Sequence, residues 1–200
     1  MRYLPVKRDI LVVMTRPLAS DLAPRQRALA DAVTEIERHV ARGGWDGPIR
    51  VFALISTQAA LAADPELAEQ LPAATIAAAQ ADPEHLTSVE QEDLPQSDSL
   101  ETLLAQLAWP SAVTGCAVVT ERVILPPSAE ADLPEDPVAA LRYVMSHTDR
   151  EDVRMAVGTM RSGESWCAVR TRGNDADLDV AHGADLVPGL IRAVRATLEP

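Results

Sequence analysis

Aromatic residues are scarce. The chain carries one Phe, two Tyr and three Trp in 200 residues, so any core has to be assembled from Leu, Val, Ile and Ala. A hydrophobic fraction of 47% with 24% charged residues is ordinary for a globular domain of this length, and it supplies enough aliphatic side chains to do so. Cysteine is nearly absent. Two residues, Cys116 and Cys167, exclude a disulfide framework and a Cys-rich zinc site. Both stand inside apolar runs, where free Cys behaves as a small buried hydrophobe, and free thiols fit a reducing compartment. Basic charge is also short: 18 Lys and Arg face 30 Asp and Glu, for a net charge of -12 and a pI near 4.7. Such a surface repels phosphate backbones and anionic membranes and favours basic or apolar protein partners.

Long hydrophobic runs are missing as well. Ile10 to Met14 is far too short to span a bilayer or to form a signal-peptide core, which leaves a cytoplasmic location as the expectation. Residues 1–20 read as a leader or loosely attached segment and 21–200 as a single domain. Within the leader, Ile10–Met14 reads either as an added strand or as part of a loose extension, with Met14 an alternative start. The nine glycines are scattered. No glycine-rich loop opens a helix, so phosphate cradles and dinucleotide fingerprints are absent, and no Gly-x-Ser-x-Gly elbow is present. No catalytic residue, cofactor or metal ligand is assigned.

What the chain does have is a run of amphipathic and β-forming segments. In "APRQRALADAVTEIERHVARGG", Leu29, Val33, Ile36 and Val40 make one apolar stripe, with Pro24 in the first turn and Gly43-Gly44 at the end. "PIRVFALIST" reads as a strand, and "ELAEQL" and "PAATIAAAQA" as short helices. Residues 82–98 hold six acids and no Lys or Arg, show no period, and read as a long surface loop. Asp98 is expected to cap "SLETLLAQLAWP", whose Leu100, Leu103, Leu104 and Leu107 share a face. "GCAVVTERVILPP" reads as a strand whose buried side is ambiguous. "PPSAEADLPEDP" reads as an acidic, proline-rich connection. After Asp136-Pro137 a helix is expected with Val138, Leu141 and Met145 aligned. Val153 to Met160, a turn at "RSGE", "SWCAVRTR" and "ADLDVA" then form a three-stranded meander, and "DLVPGLIRAVRATLE" closes the chain as a helix. Strands gathered in hairpins give an α+β class: an antiparallel sheet of about five strands with a C-terminal three-stranded meander, packed against helices.

Several polar clusters invite a functional reading. His147 with Asp149, Glu151 and Asp152 resembles a metal set by composition, but Arg150 and Arg154 are interleaved and the spacing is wrong for zinc. His85 with Glu84, Glu90, Glu92 and Asp93 lacks the alternating oxygens and turn glycine of a calcium loop. Asp177 and Asp179 are expected on one face of an edge strand, where acids guard against aggregation. Trp45, Trp109 and Trp166 each adjoin a turn or strand edge, and read first as half-buried rim residues, second as partner anchors.

The runs "IERHVARGGWDGPIRVFALIST", "HLTSVEQEDLP", "LETLLAQLAWP", "GCAVVTERVILPPSAEADLPEDP" and "HTDREDVRMAVGTMRSGESWCAVR" resemble a family of uncharacterised proteins from high-GC Gram-positive (actinobacterial) genomes. The resemblance runs from about Leu29 onward and is most specific between residues 85 and 125. It implies a cytoplasmic bacterial protein and carries no activity, cofactor or catalytic residue with it. The expectation is therefore a non-enzymatic protein-binding module with an acidic surface, its contact formed by Glu90, Glu92, Asp93 and Trp109. A hydrolase or metal-dependent enzyme using carboxylates near His85 or His147 is the alternative, and a homodimer joined at a sheet edge is a further one.

Overall fold

The computed structural model describes residues 22–95, 97 and 99–199; the expected leader at 1–20 and the expected cap at Asp98 lie outside them. Helix α1, Pro24–Ala41, starts on proline, which needs no amide partner there. It lays Leu29, Val33 and Ile36 against a sheet. Strand β1 is Arg50–Ser56, followed by the short helices α2 (Thr57–Ala63), α3 (Leu67–Gln70) and α4 (Ala73–Ala81). Strand β2 is Leu86–Glu90, helix α5 Leu100–Leu104, strand β3 Gly115–Ile124. Then come α6 (Pro127–Glu130), α7 (Pro137–Ser146), β4 (Glu151–Met160), β5 (Ser165–Thr171), β6 (Ala181–Gly183) and α8 (Pro188–Ala196).

The six strands form one sheet in the order β2-β1-β3-β4-β5-β6, every neighbour antiparallel. The α+β class holds, with six strands where about five were expected. Both faces are covered. Alternate residues Phe52, Leu54, Ala117, Val119, Ala156, Trp166 and Ala168 pack under α1. Their neighbours Val51, Cys116, Val118, Met155, Val157, Cys167 and Val169 pack under α5 and α8. The ambiguity over the buried side of β3 is thereby explained: Cys116 and Val118 serve one core, Ala117 and Val119 the other.

Four expectations are corrected. The stretch 82–98 is not loop throughout, because Leu86–Glu90 pairs with β1. Its five residues carry two β-formers, Thr87 and Val89, and no clean alternation, so only the β1 ladder makes the strand visible. "ADLDVA" is not one strand: Asp177–Asp179 is a 3-10 turn and pairing is confined to Ala181–Gly183. Ser99 is the N-cap of α5, its hydroxyl accepting from the Thr102 N–H at 3.1 Å. Finally, the stretch read as a proline-rich connection contains the short helix α6. The helix expected after Asp136-Pro137 is present as α7, and its aligned Val138, Leu141 and Met145 face solvent, at 60, 52 and 53% exposure. The rest of the C-terminal half follows expectation. Val153, Met155 and Val157 alternate with Arg154, Ala156 and Gly158 between the two faces, and the hairpin turns at Gly163, whose φ of 108° a side chain would resist.

Candidate functional site

Of the four residues expected at a contact, Glu90 ends β2, Glu92 and Asp93 follow it, and Trp109 lies beyond α5. Glu90 is committed elsewhere. Both its carboxylate oxygens accept from the Arg50 guanidinium, one at 2.5 Å, and His39 Nε2 stands 3.9 Å away. Those hydrogen bonds hold the Glu90 carboxyl below the usual glutamate range. Glu92 and Asp93 are exposed and stand in no ion pair among the described residues. Trp109 is half-buried, and its indole N–H donates to the Thr197 hydroxyl at 3.0 Å.

Trp109 forms part of the wall of an open groove of ≈ 680 Å³ between α5 and α8. Leu104, Leu107, Ala193 and Ala196 give the groove an apolar floor, and Glu101 and Glu199 stand on its rim. Arg161, from the β4–β5 turn, fastens the floor: its Nε donates to the Val113 carbonyl at 2.9 Å, and its Nη atoms reach the carbonyls of Leu198 and Trp109. None of Glu90, Glu92 and Asp93 lines this groove. The structure therefore separates the expected contact into an acidic stretch after β2 and an apolar groove at Trp109.

The histidines gather less than the alternative enzyme reading requires. The Thr57 hydroxyl lies 2.8 Å from His85 Nδ1 and 2.8 Å from the Thr87 hydroxyl. A hydroxyl on an imidazole is the beginning of a nucleophilic pair, yet Thr57 is 1% exposed, so no acyl group can approach it in this conformation. The cluster instead ties the start of α2 to β2. At His147, Nδ1 accepts from the Asp149 N–H at 3.1 Å while the ring lies against Tyr143, centroids 5.4 Å apart. Among the described residues, no three or more His, Cys, Asp or Glu side chains are placed to hold a metal ion.

The densest polar chemistry went unannounced in the sequence. Glu37 and Arg170 are 1 and 2% exposed, and the guanidinium grips the carboxylate at 2.7 and 2.8 Å. Arg170 also donates to the Asp175 carbonyl at 2.6 Å and the Asp177 carboxylate at 2.7 Å, which is why Asp177 forms a turn rather than an edge strand. One position along the sheet, buried Arg154 binds Glu121 at 2.7 Å and stacks on Trp45, 4.4 Å from the ring centre. Arg172 covers Trp45 at 5.0 Å, and the Trp45 indole donates to Asp175 at 3.0 Å. One signal was legible: Glu37 falls four residues after Val33, on the apolar stripe itself. Beside this network an open basin of ≈ 730 Å³ is lined by Asp31, Glu35, Arg38, Arg42 and Asp177, acids and arginines in near balance. Nothing in this network is arranged to activate a nucleophile; it anchors α1 and the 42–47 turn to β4 and β5.

Fold and surface together define an α+β protein with an antiparallel sheet covered on both faces and no assembled catalytic constellation among the described residues. The family model for PPA1309-like protein matches residues 29–199, and the chain belongs to that family. No curated protein and no solved structure matches it. No helix among the described residues is long and apolar enough to cross a membrane.

Proposed function

We propose that the chain is a non-enzymatic, cytoplasmic protein-binding module of actinobacteria, and that it recognises a partner segment carrying apolar anchors flanked by basic residues. The observation that supports this most is the groove between α5 and α8, an apolar trough with Trp109 in its wall and Glu101 and Glu199 on its rim. Trp at the edge of a pocket is a common binding anchor. Glu92 and Asp93 are exposed on the separate stretch after β2 and account for part of the -12 net charge, which steers basic partners and repels nucleic acid. Glu90, held by Arg50, is left out of the contact.

The test compares proteins recovered by the tagged full chain with those recovered by Ala196→Arg, which fills the groove from an exposed position, and by Glu92→Lys/Asp93→Lys. The expected result is a common set of proteins whose recovery falls at least about tenfold with both variants. Trp109→Ala is expected to weaken an isolated complex about 30-fold or more, the loss of a central anchor. Recovery unchanged by Ala196→Arg removes the groove as the site.

A further inference from the structure

Helix α7 presents a second apolar surface. The Asp136 carboxylate caps its start, accepting from the Ala139 N–H at 2.8 Å, yet none of its ten residues is buried. Helices this short are marginal in water and are ordinarily held by packing of their apolar face. That face is present. Val138, Leu141 and Met145 form one stripe, each more than half exposed, at the i, i+3, i+7 spacing of helices that dock in grooves. α7 joins the end of β3 to the start of β4. The groove beside Trp109 lies at the other end of the same two strands, where Arg161 follows β4 and donates to Val113 before β3. Strands of ten residues set the two surfaces roughly 30 Å apart, so α7 does not fill the groove of its own chain.

We propose that the groove is occupied by α7 of a second copy of the chain, and that two copies exchange this helix reciprocally across a two-fold axis. The proposal rests on the groove reading and names the segment that fills it. Charge leads to this occupant. Two chains of net charge -12 repel over most of their surface, so a contact between them has to join basic ground to acidic. α7 carries Arg142 and no acid. Arg150 follows it, Nη1 donating to the Met145 carbonyl at 2.8 Å. On the groove, Glu101 and Glu199 stand at the rim. Another use of the stripe fails on the same ground: two copies of α7 packed antiparallel about Leu141 would set Arg142 beside its own equivalent. Topology agrees with charge. A second copy turned end for end brings its α7 to the first copy's groove and receives the first copy's α7 in its own. One symmetric arrangement thus covers stripe and groove together, without using a sheet edge.

The experiment is the molar mass in solution, by light scattering, of the full chain and of its Leu141→Glu and Ala196→Arg variants. Both substitutions fall at exposed positions, so neither disturbs a core. The wild type is expected at twice the 21.5 kDa of one chain. Each variant is expected at the mass of one chain, its dissociation constant raised at least about tenfold. An equimolar mixture of the two variants should regain the two-chain mass. There the intact stripe of Ala196→Arg meets the intact groove of Leu141→Glu, and at the second contact the introduced carboxylate faces the introduced guanidinium. A mixture that stays at one chain would overturn the proposal. So would a two-chain mass that persists in Ala196→Arg, since the contact would then lie elsewhere. A wild type of single-chain mass at roughly 0.2 mM would overturn it as well, while proteins lost from the Ala196→Arg recovery would still uphold the groove as a binding site.

Discussion

At the scale of single residues, the Glu37–Arg170 pair shows how little a formal charge says about where a side chain resides. Both groups are removed from water, and the geometry satisfies them: two parallel hydrogen bonds between them, then Asp175 and Asp177 for the remaining donors. A pair of this kind costs more to break than to replace. Glu37→Ala is expected to lower unfolding free energy by about 3–5 kcal/mol, since Arg170 would stay buried and half-paired. A Glu37→Met/Arg170→Met double variant should recover much of that loss, and denaturant midpoints of the three chains measure the difference. Arg50–Glu90 is the contrasting case, with side chains 25 and 30% exposed. Water competes there, so Glu90→Gln should cost no more than about 1 kcal/mol. Because the folded chain depresses the Glu90 pKa, the contribution is complete above the ordinary glutamate value of 4.5 and fades as pH falls through it and below. The variant should therefore lose less stability than the wild type on acidification, as thermal melts across that range would show. For the thiols burial outweighs the hydrogen bonds that oppose it. Cys167 is pushed up to about 11 and Cys116 also rises, so both should resist a thiol reagent at neutral pH until the chain is unfolded.

At the scale of elements, α1 decides the face on which it lies. It approaches β4 where a Cβ on Gly158 would stand 2.5 Å from Val33 Cγ2 and 3.1 Å from Leu29 Cδ1. Val33 is β-branched and fully buried, so it has little freedom to move aside. Gly158→Ala is expected to cost about 1–3 kcal/mol through overpacking, a loss that Val33→Ala should partly relieve when the two are combined. The same contact shows which elements were readable. α1 carries a strong periodicity that agrees with its packing, and β1, β4 and β5 are compact runs of apolar residues between turn signals, so their sequences alone place them. That of β2 does not: Leu86, Thr87 and Val89 sit among acids, and their strand depends on hydrogen bonds to β1 that no local pattern records. α7 shows the converse. Its stripe of Val138, Leu141 and Met145 is as regular as that of α1, but periodicity reports that a helix is amphipathic and not that anything packs on it. The groove was half legible. Trp109 was singled out, but Ala193 and Ala196 come from α8, and only the tertiary approach of α8 to α5 makes a trough of them.

At the scale of the whole molecule, the sheet is a partition between two cores that share every central strand. Along β4, Met155 and Val157 belong to the core beneath α5 and α8, while Ala156 and Met160 belong to the core beneath α1. Neither core can melt by itself without exposing the other side of the same strand, because losing the ladder on one face removes the scaffold that positions the other. The two should therefore unfold as one unit, which is what a single domain from residue 21 onward requires. Ile36→Ala on one face and Leu190→Ala on the other each remove a buried aliphatic side chain, 2 and 5% exposed, and each should cost about 2–5 kcal/mol. The informative measurement uses two reporters. Trp166 is buried in the core under α1 and Trp109 packs at the margin of the other, so chains in which one or the other is the sole tryptophan read the two faces separately. With Ile36→Ala added, both reporters should shift to the same lower denaturant midpoint, although the substitution touches only the core that holds Trp166. A midpoint that moves for Trp166 and stays in place for Trp109 would mean that the faces melt independently, and the one-domain description would fail with it.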